Sequence, residues 1–115
     1  MFKQKLTHDS FEITFEEDPS IKIRDIGTYI NDLYIPNVRK ITWNYKFITI
    51  RKLKEILEVN LLEVLVLNVR EIIGECKEII ETPNSLNEIH LNSGLVDIMY
   101  VRDNTKLHIM DLIEA

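Results

Sequence analysis

The residues best suited to chemistry are His90 and Asp111, which the strand pattern places side by side on neighbouring strands. An imidazole beside a carboxylate can act as an oriented base or form part of a metal site. Neither role is complete, because the strand phase directs His108 elsewhere and places no serine beside His90. We therefore expect a partly exposed polar pair, and an enzyme built on it is the third of three functional hypotheses.

The other reactive groups also favour structural roles. Helical spacing places Cys76 among isoleucines on a buried stripe, where a thiol lacks the exposure that a nucleophile needs. Arg51, Lys52 and Lys54 form a short basic cluster, as expected for a solvated helix face. The acidic run 16–18 lacks the spaced oxygens and the glycine of a calcium loop. The sequence thus predicts no catalytic residue, no metal and no cofactor.

Composition indicates a single domain. The chain has 115 residues, of which 45% are hydrophobic, and this is enough for one sizeable core.

The formal net charge of −5 argues against general binding to nucleic acid, which requires clustered Lys and Arg. One cysteine fits a reducing compartment, and no apolar stretch approaches the ~20 residues that cross a bilayer. We expect a cytoplasmic protein that binds neither nucleic acid nor membrane.

A regular internal repeat organises the chain. Three evenly spaced segments, Val38–Asn44, Leu62–Asn68 and Leu86–Asn92, share the pattern apolar-x-x-apolar-x-apolar-Asn. Apolar positions with helical spacing recur between them. Self-similarity with a period of about 24 residues is typical of stacked strand-helix units, which commonly bind other proteins.

The repeat assigns an order of elements. An N-terminal hairpin precedes strands and helices that alternate with short links, a pattern that predicts parallel strands joined by right-handed crossovers. The predicted strands are Val38–Asn44, Leu61–Leu67, Leu86–Asn92 and Leu107–Ile113, and the predicted helices begin near Asp25, Thr49, Asn68 and Leu95, the third ending near Glu81.

These repeats resemble the leucine-rich repeat family. Its core Leu-x-x-Leu-x-Leu is matched by Leu62, Leu65 and Leu67, and the lead-ins 35–38 and 82–86 are similar to the Cys-Pro-Asn-Leu of the cysteine-containing, F-box-associated subclass. The subclass cysteine and the family's later asparagine are absent. The resemblance covers about residues 10–113 and implies an open α/β solenoid of about five units. With the composition and the N-terminal hairpin, this predicts one domain over residues 1–115 with a hairpin cap. It also implies protein recognition without catalysis.

In this arrangement, alternate strand residues face a concave surface. The predicted partner-binding residues are Glu12, Glu16, Lys40, Thr42, Asn44, Val64, Val66, Glu88, His90, Asn92, Ile109 and Asp111. Val64 and Val66 allow two interpretations, since they are either an exposed apolar patch or a strand covered by helices on both faces. The asparagines that recur once in each repeat are interpreted mainly as caps and strand-end structure, with a peptide-binding ladder as the alternative.

The leading hypothesis is a non-catalytic protein-binding module that acts as an adaptor, an inhibitor or an immunity-type protein. The alternative is a compact α/β regulatory domain covered on both faces, similar to anti-sigma-factor-antagonist domains. The phosphorylatable Asp-Ser-Ser-Gly turn of that family is missing, and only Thr49 could substitute for its serine. The last strand has no helix after it, and we expect a homodimer through this edge.

Overall fold

Five parallel strands form the centre of the structure, a computed structural model that describes residues 3–7, 11–17 and 20–110. The strands are β2 (Glu12–Glu16), β3 (Lys40–Asn44), β5 (Val64–Leu67), β8 (Glu88–Leu91) and β10 (Lys106–Ile109). They lie beside one another in chain order, and β1 (Lys3–Thr7) pairs antiparallel with β2 at one edge. The prediction of a mixed α/β fold with a parallel sheet and an N-terminal hairpin is confirmed.

One face of this sheet forms the core. Successive side chains of a strand point to opposite faces, so alternate apolar residues of four strands lie together. These residues are fully buried: Ile13, Phe15, Ile41, Trp43, Leu65, Leu67, Ile89 and Leu91. The largest of them, Trp43, packs between Phe15 and Tyr45 with ring centroids 5.2 and 5.0 Å away. Its indole Nε1–H donates to the carbonyl of Phe47 at 3.1 Å, so Trp43 is a packing residue, as predicted.

The helices contribute to the same core. They are α1 (Ile26–Asp32), which follows a 3₁₀ turn at Ile23–Asp25, α2 (Ile50–Leu57) and α3 (Ser93–Val96). Helix α2 begins where predicted because the hydroxyl of Thr49 accepts a hydrogen bond from the backbone N–H of Lys52 at 3.0 Å. In the described ranges, no helix has the length and apolarity that a bilayer crossing requires.

The predicted helix from Asn68 to Glu81 is wrong. This stretch contains instead two short strands, β6 (Glu71–Ile73) and β7 (Ile80–Glu81). Strand β6 pairs with β4 (Phe47–Thr49), and β7 pairs with β9 (Met99–Tyr100). The apolar spacing matched a helix, but β-branched residues favour a strand where a pairing partner is present.

The predicted environments of Cys76 and Lys52 are also wrong. Cys76 lies in the stretch that is not helical, and Lys52 lies on α2. Cys76 lies on an irregular segment and is partly exposed, with its thiol 2.8 Å from the carbonyl oxygen of Glu78. Lys52, predicted to be solvated, is fully buried. Its ammonium donates to the carbonyl of Leu33 and to Glu55 Oε2, the latter at 2.6 Å, so the buried charge is paired and hydrogen-bonded.

Candidate interaction face of the sheet

The face of the sheet opposite the core carries the candidate site, and we call it the solvent face. Its side chains are all partly or fully exposed, in contrast to the buried residues that alternate with them. They are Glu12, Thr14, Glu16, Lys40, Thr42, Asn44, Val64, Val66, Glu88, His90, Lys106 and His108. Most of the predicted partner-binding residues therefore lie on one surface.

The strand register arranges this surface in rows. One row contains Glu12, Lys40, Val64, Glu88 and Lys106, and the next contains Thr14, Thr42, Val66, His90 and His108. Because neighbouring strands are about 4.8 Å apart, the side chains within a row contact their neighbours. The surface is thus continuous across five strands.

Val64 and Val66 form the apolar centre of the solvent face. Both are partly exposed, whereas Leu65 between them is fully buried. The buried residues of α1 and α2 belong to the core on the opposite face. Beside Val64, Lys40 Nζ lies 3.6 Å from Glu12 Oε1 in a half-buried ion pair, which gives the patch a polar border.

A cluster of three titratable side chains lies at the β8–β10 end of the solvent face. His90 Nε2 is 2.7 Å from Glu88 Oε2, and His108 Nε2 is 3.9 Å from Glu88 Oε1. The two imidazoles stack with centroids 4.4 Å apart and planes 10° from parallel. The hydrogen bond with His90 lowers the pKa of Glu88 from its ordinary value of 4.5, with smaller contributions from the charges of His90, His108 and Lys106, so the carboxylate is ionised at neutral pH.

The recurring asparagines lie where the strands end, and their amides bond within the chain. Asn92 caps α3, since its Oδ1 accepts from the backbone N–H of Leu95 at 2.9 Å, and its amide N–H donates to the carbonyl of Val69. The amide of Asn68 donates to Oδ1 of Asn44. Capping is confirmed for Asn92, whereas the predicted capping box at Asn68 is wrong because no helix follows it.

The predicted register of β10 is wrong, and this affects Ile109. The structure pairs Lys106 with Glu88 and Ile109 with Leu91, three positions away from the predicted pairing of Ile109 with Glu88. A shift by an odd number moves every side chain to the other face. Ile109 therefore points to the core side, where it is 58% exposed because β10 is the last described strand of the sheet. Asp111 lies outside the described residues, as does its predicted pairing with His90.

The same shift explains why His108 and Lys106 are not among the predicted residues of the solvent face. From Lys106 onward both alternate sets of residues contain apolar side chains, Leu107 and Ile109 in one and Met110 and Leu112 in the other, and the regular repeat gives no guide here because the final unit is shorter. The register partners Glu88 and Lys106 are closer in the chain than Val64 and Glu88, which are partners one strand earlier. The signal that was present is Leu107, which aligns with the buried Ile89 and so directs His108 to the solvent face.

Comparisons with models of known protein families, with curated proteins and with solved structures gave no match.

Proposed function

We propose that this chain is a leucine-rich-repeat-like solenoid that binds another protein through its solvent face, without catalysis. The observation that carries the proposal is a five-stranded surface whose centre, Val64 and Val66, is apolar and partly exposed. Apolar groups collected inside a polar border are characteristic of protein interfaces. The bound protein would be held as an adaptor holds a client or as an inhibitor holds its target.

The packing of the helices supports this proposal. A sheet covered on both faces would bury Val64 and Val66 as completely as Leu65. The different exposure of neighbouring residues in β5 instead fits a strand that is covered on one side. The ion pair of Lys40 with Glu12 also fits the rim of an interface, where exposed charges orient a partner and contribute little to affinity.

The residues beside the valines set the chemistry of the partner. The row through Val66 contains Thr14, Thr42, His90 and His108, which all carry hydrogen-bonding groups. A matching partner would present an aliphatic or aromatic anchor surrounded by hydrogen-bonding groups. Burial of both valines would account for most of the affinity, since a few central residues usually dominate an interface.

The test compares three variants in affinity purification from the native cell, followed by titration of the purified partner. Val66→Asp should abolish capture, because a carboxylate would be buried in the centre of the interface without a counter-charge. Val66→Ile should retain it. Arg51→Asp, an exposed position on α2, introduces the same carboxylate away from the solvent face and should also retain capture. If Val66→Asp captures the same proteins as the parent chain, the proposal is wrong.

We also propose self-association through β10. Leu107 and Ile109 have the strand phase of the buried Ile89 and Leu91, yet they are 38% and 58% exposed. In the described part of the chain, β10 pairs on one side only. An edge strand with free backbone groups and apolar side chains is suited to pairing with a second copy.

A further inference from the structure

We propose that Glu88, His90 and His108 form a binding site for a divalent transition-metal ion, with Zn²⁺ as the best match. This proposal goes beyond the protein-binding function, although Glu88 and His90 also lie on the solvent face. One potential donor atom from each residue lies within 4.8 Å of the others. Two imidazole nitrogens and one carboxylate oxygen are a ligand set that favours zinc and similar ions over magnesium or calcium.

The backbone holds the three residues together. Glu88 and His90 are two positions apart on β8 and so share a face of the sheet, while His108 is the register partner of His90 on β10. Backbone hydrogen bonds from Lys106 N to Asn87 O and from Met110 N to Leu91 O, both 2.8 Å, fix β10 on either side of His108. Ligands on paired strands lose little freedom when a metal binds.

The distances require only side-chain adjustment. Ligand atoms around a tetrahedral ion at about 2.1 Å lie roughly 3.4 Å apart. His90 Nε2 lies 2.7 Å from one carboxylate oxygen of Glu88 and His108 Nε2 lies 3.9 Å from the other, values on either side of this spacing. An ion lies in the plane of each imidazole that binds it, so the stacked rings must tilt towards each other. All three side chains have the room to move, with 39%, 26% and 47% exposure for Glu88, His90 and His108.

The residues around the cluster determine its affinity for a metal ion. On the β5 side, the register partners of Glu88 and His90 are Val64 and Val66, which offer neither a competing charge nor a further ligand. On β10, Lys106 lies opposite Glu88 and its positive charge opposes the binding of a cation. Three protein ligands leave a fourth position for water. We therefore expect reversible binding of one ion per chain.

The experiment titrates the metal-free full chain with zinc chloride in competition with a chromophoric chelator. The parent chain should bind one ion. His108→Ala should weaken binding by at least the roughly 10–100-fold that loss of even an outer-shell partner causes. Glu88→Gln should also weaken it, whereas Lys106→Gln should bind more tightly. His8→Ala and Cys76→Ser remove the remaining histidine and the single cysteine, and both should bind as the parent does.

A second measurement does not depend on the folding of any variant. Imidazole NMR signals of the parent chain should show two of the three histidines shifting on addition of zinc, with one equivalent sufficient. The proposal is overturned if zinc does not bind, if His108→Ala binds as well as the parent, or if the His8 signal shifts in place of His90 or His108.

Discussion

Neighbouring residues of β5 provide a direct test of which face of the sheet is core. Leu65 is fully buried and Val66 is partly exposed, although one peptide bond separates them. We compare Leu65→Ala with Val66→Asp, so that the more conservative change is made on the buried face. If only chemical polarity mattered, the aspartate would be the more harmful substitution.

The structure predicts the reverse order. Leu65→Ala leaves a cavity among fully buried neighbours and should lower the free energy of unfolding by about 2–5 kcal/mol. Val66→Asp loses part of the approximately 1.5–3 kcal/mol available from full burial of a valine. The poorer strand propensity of aspartate adds up to about 1 kcal/mol. The total for Val66→Asp is about 1–2 kcal/mol, because its carboxylate stays in contact with water.

Urea unfolding and thermal unfolding, both followed by tryptophan fluorescence, measure the free energy of unfolding and the melting temperature of each variant. Trp43 is the single tryptophan and is fully buried in the core on which Leu65 packs, so its emission reports global unfolding. At about 4 °C per kcal/mol for a domain of this size, the melting temperature should fall by about 8–20 °C for Leu65→Ala and about 4–8 °C for Val66→Asp. A Val66→Asp chain that is less stable than Leu65→Ala would show that the solvent face is packed against something, and the binding proposal would fail with it.

Four further predictions concern individual residues. Gly74 has φ of +107°, so Gly74→Ala should cost about 1–2 kcal/mol in urea unfolding, although only Ile50 lies near the added methyl group. Gly27→Ala, in α1 with open space around it, should instead stabilise the chain by up to about 1 kcal/mol. The lowered pKa of Glu88 contributes stability above the ordinary pKa of 4.5, and this contribution is lost as the pH falls below it through the folded-state value. In urea unfolding with a chelator present to keep the chain metal-free, the free energy of unfolding of Glu88→Gln should therefore depend less on pH in this range. Ile109→Lys should weaken self-association in light scattering at high micromolar concentration.

Each of these predictions has an outcome that contradicts it. Equal effects of alanine at Gly74 and Gly27 would mean that the positive φ carries no strain. If the free energy of unfolding of Glu88→Gln falls at acid pH as steeply as that of the parent chain, the hydrogen bond between Glu88 and His90 does not contribute to stability. A monomeric mass for the parent chain at high concentration would refute pairing through β10.

Much of the strand order could be predicted from the sequence alone. The apolar positions Ile41 and Trp43 recur one repeat later at Leu65 and Leu67, and again after the same interval at Ile89 and Leu91. A strand alternates its side chains with a period of two, so this repetition determines both the position of each strand and the face that is buried. Most of the solvent face follows from the same periodicity.

The structure of the segments between the main strands could not be predicted from the sequence, because it depends on tertiary contacts. Asn68–Glu81 has apolar spacing suited to a helix, but β6 forms there because β4 offers it a parallel partner. Lys52 is buried with its ammonium bonded to Glu55, one turn along α2, and to the carbonyl of Leu33, which is 19 residues earlier in the chain; the sequence does not indicate this second contact.

The position of the last strand was likewise decided in three dimensions. The sequence that begins with β10 has apolar residues in both alternate sets, because Met110 and Leu112 follow Leu107 and Ile109, and its unit is shorter than those before it. Only the pairing of Leu107 with Ile89 shows that His108 stacks on His90. Local periodicity specifies which residues of a strand share a face. The register between strands depends instead on contacts across the sheet, and the cluster of Glu88, His90 and His108 forms only because of that register.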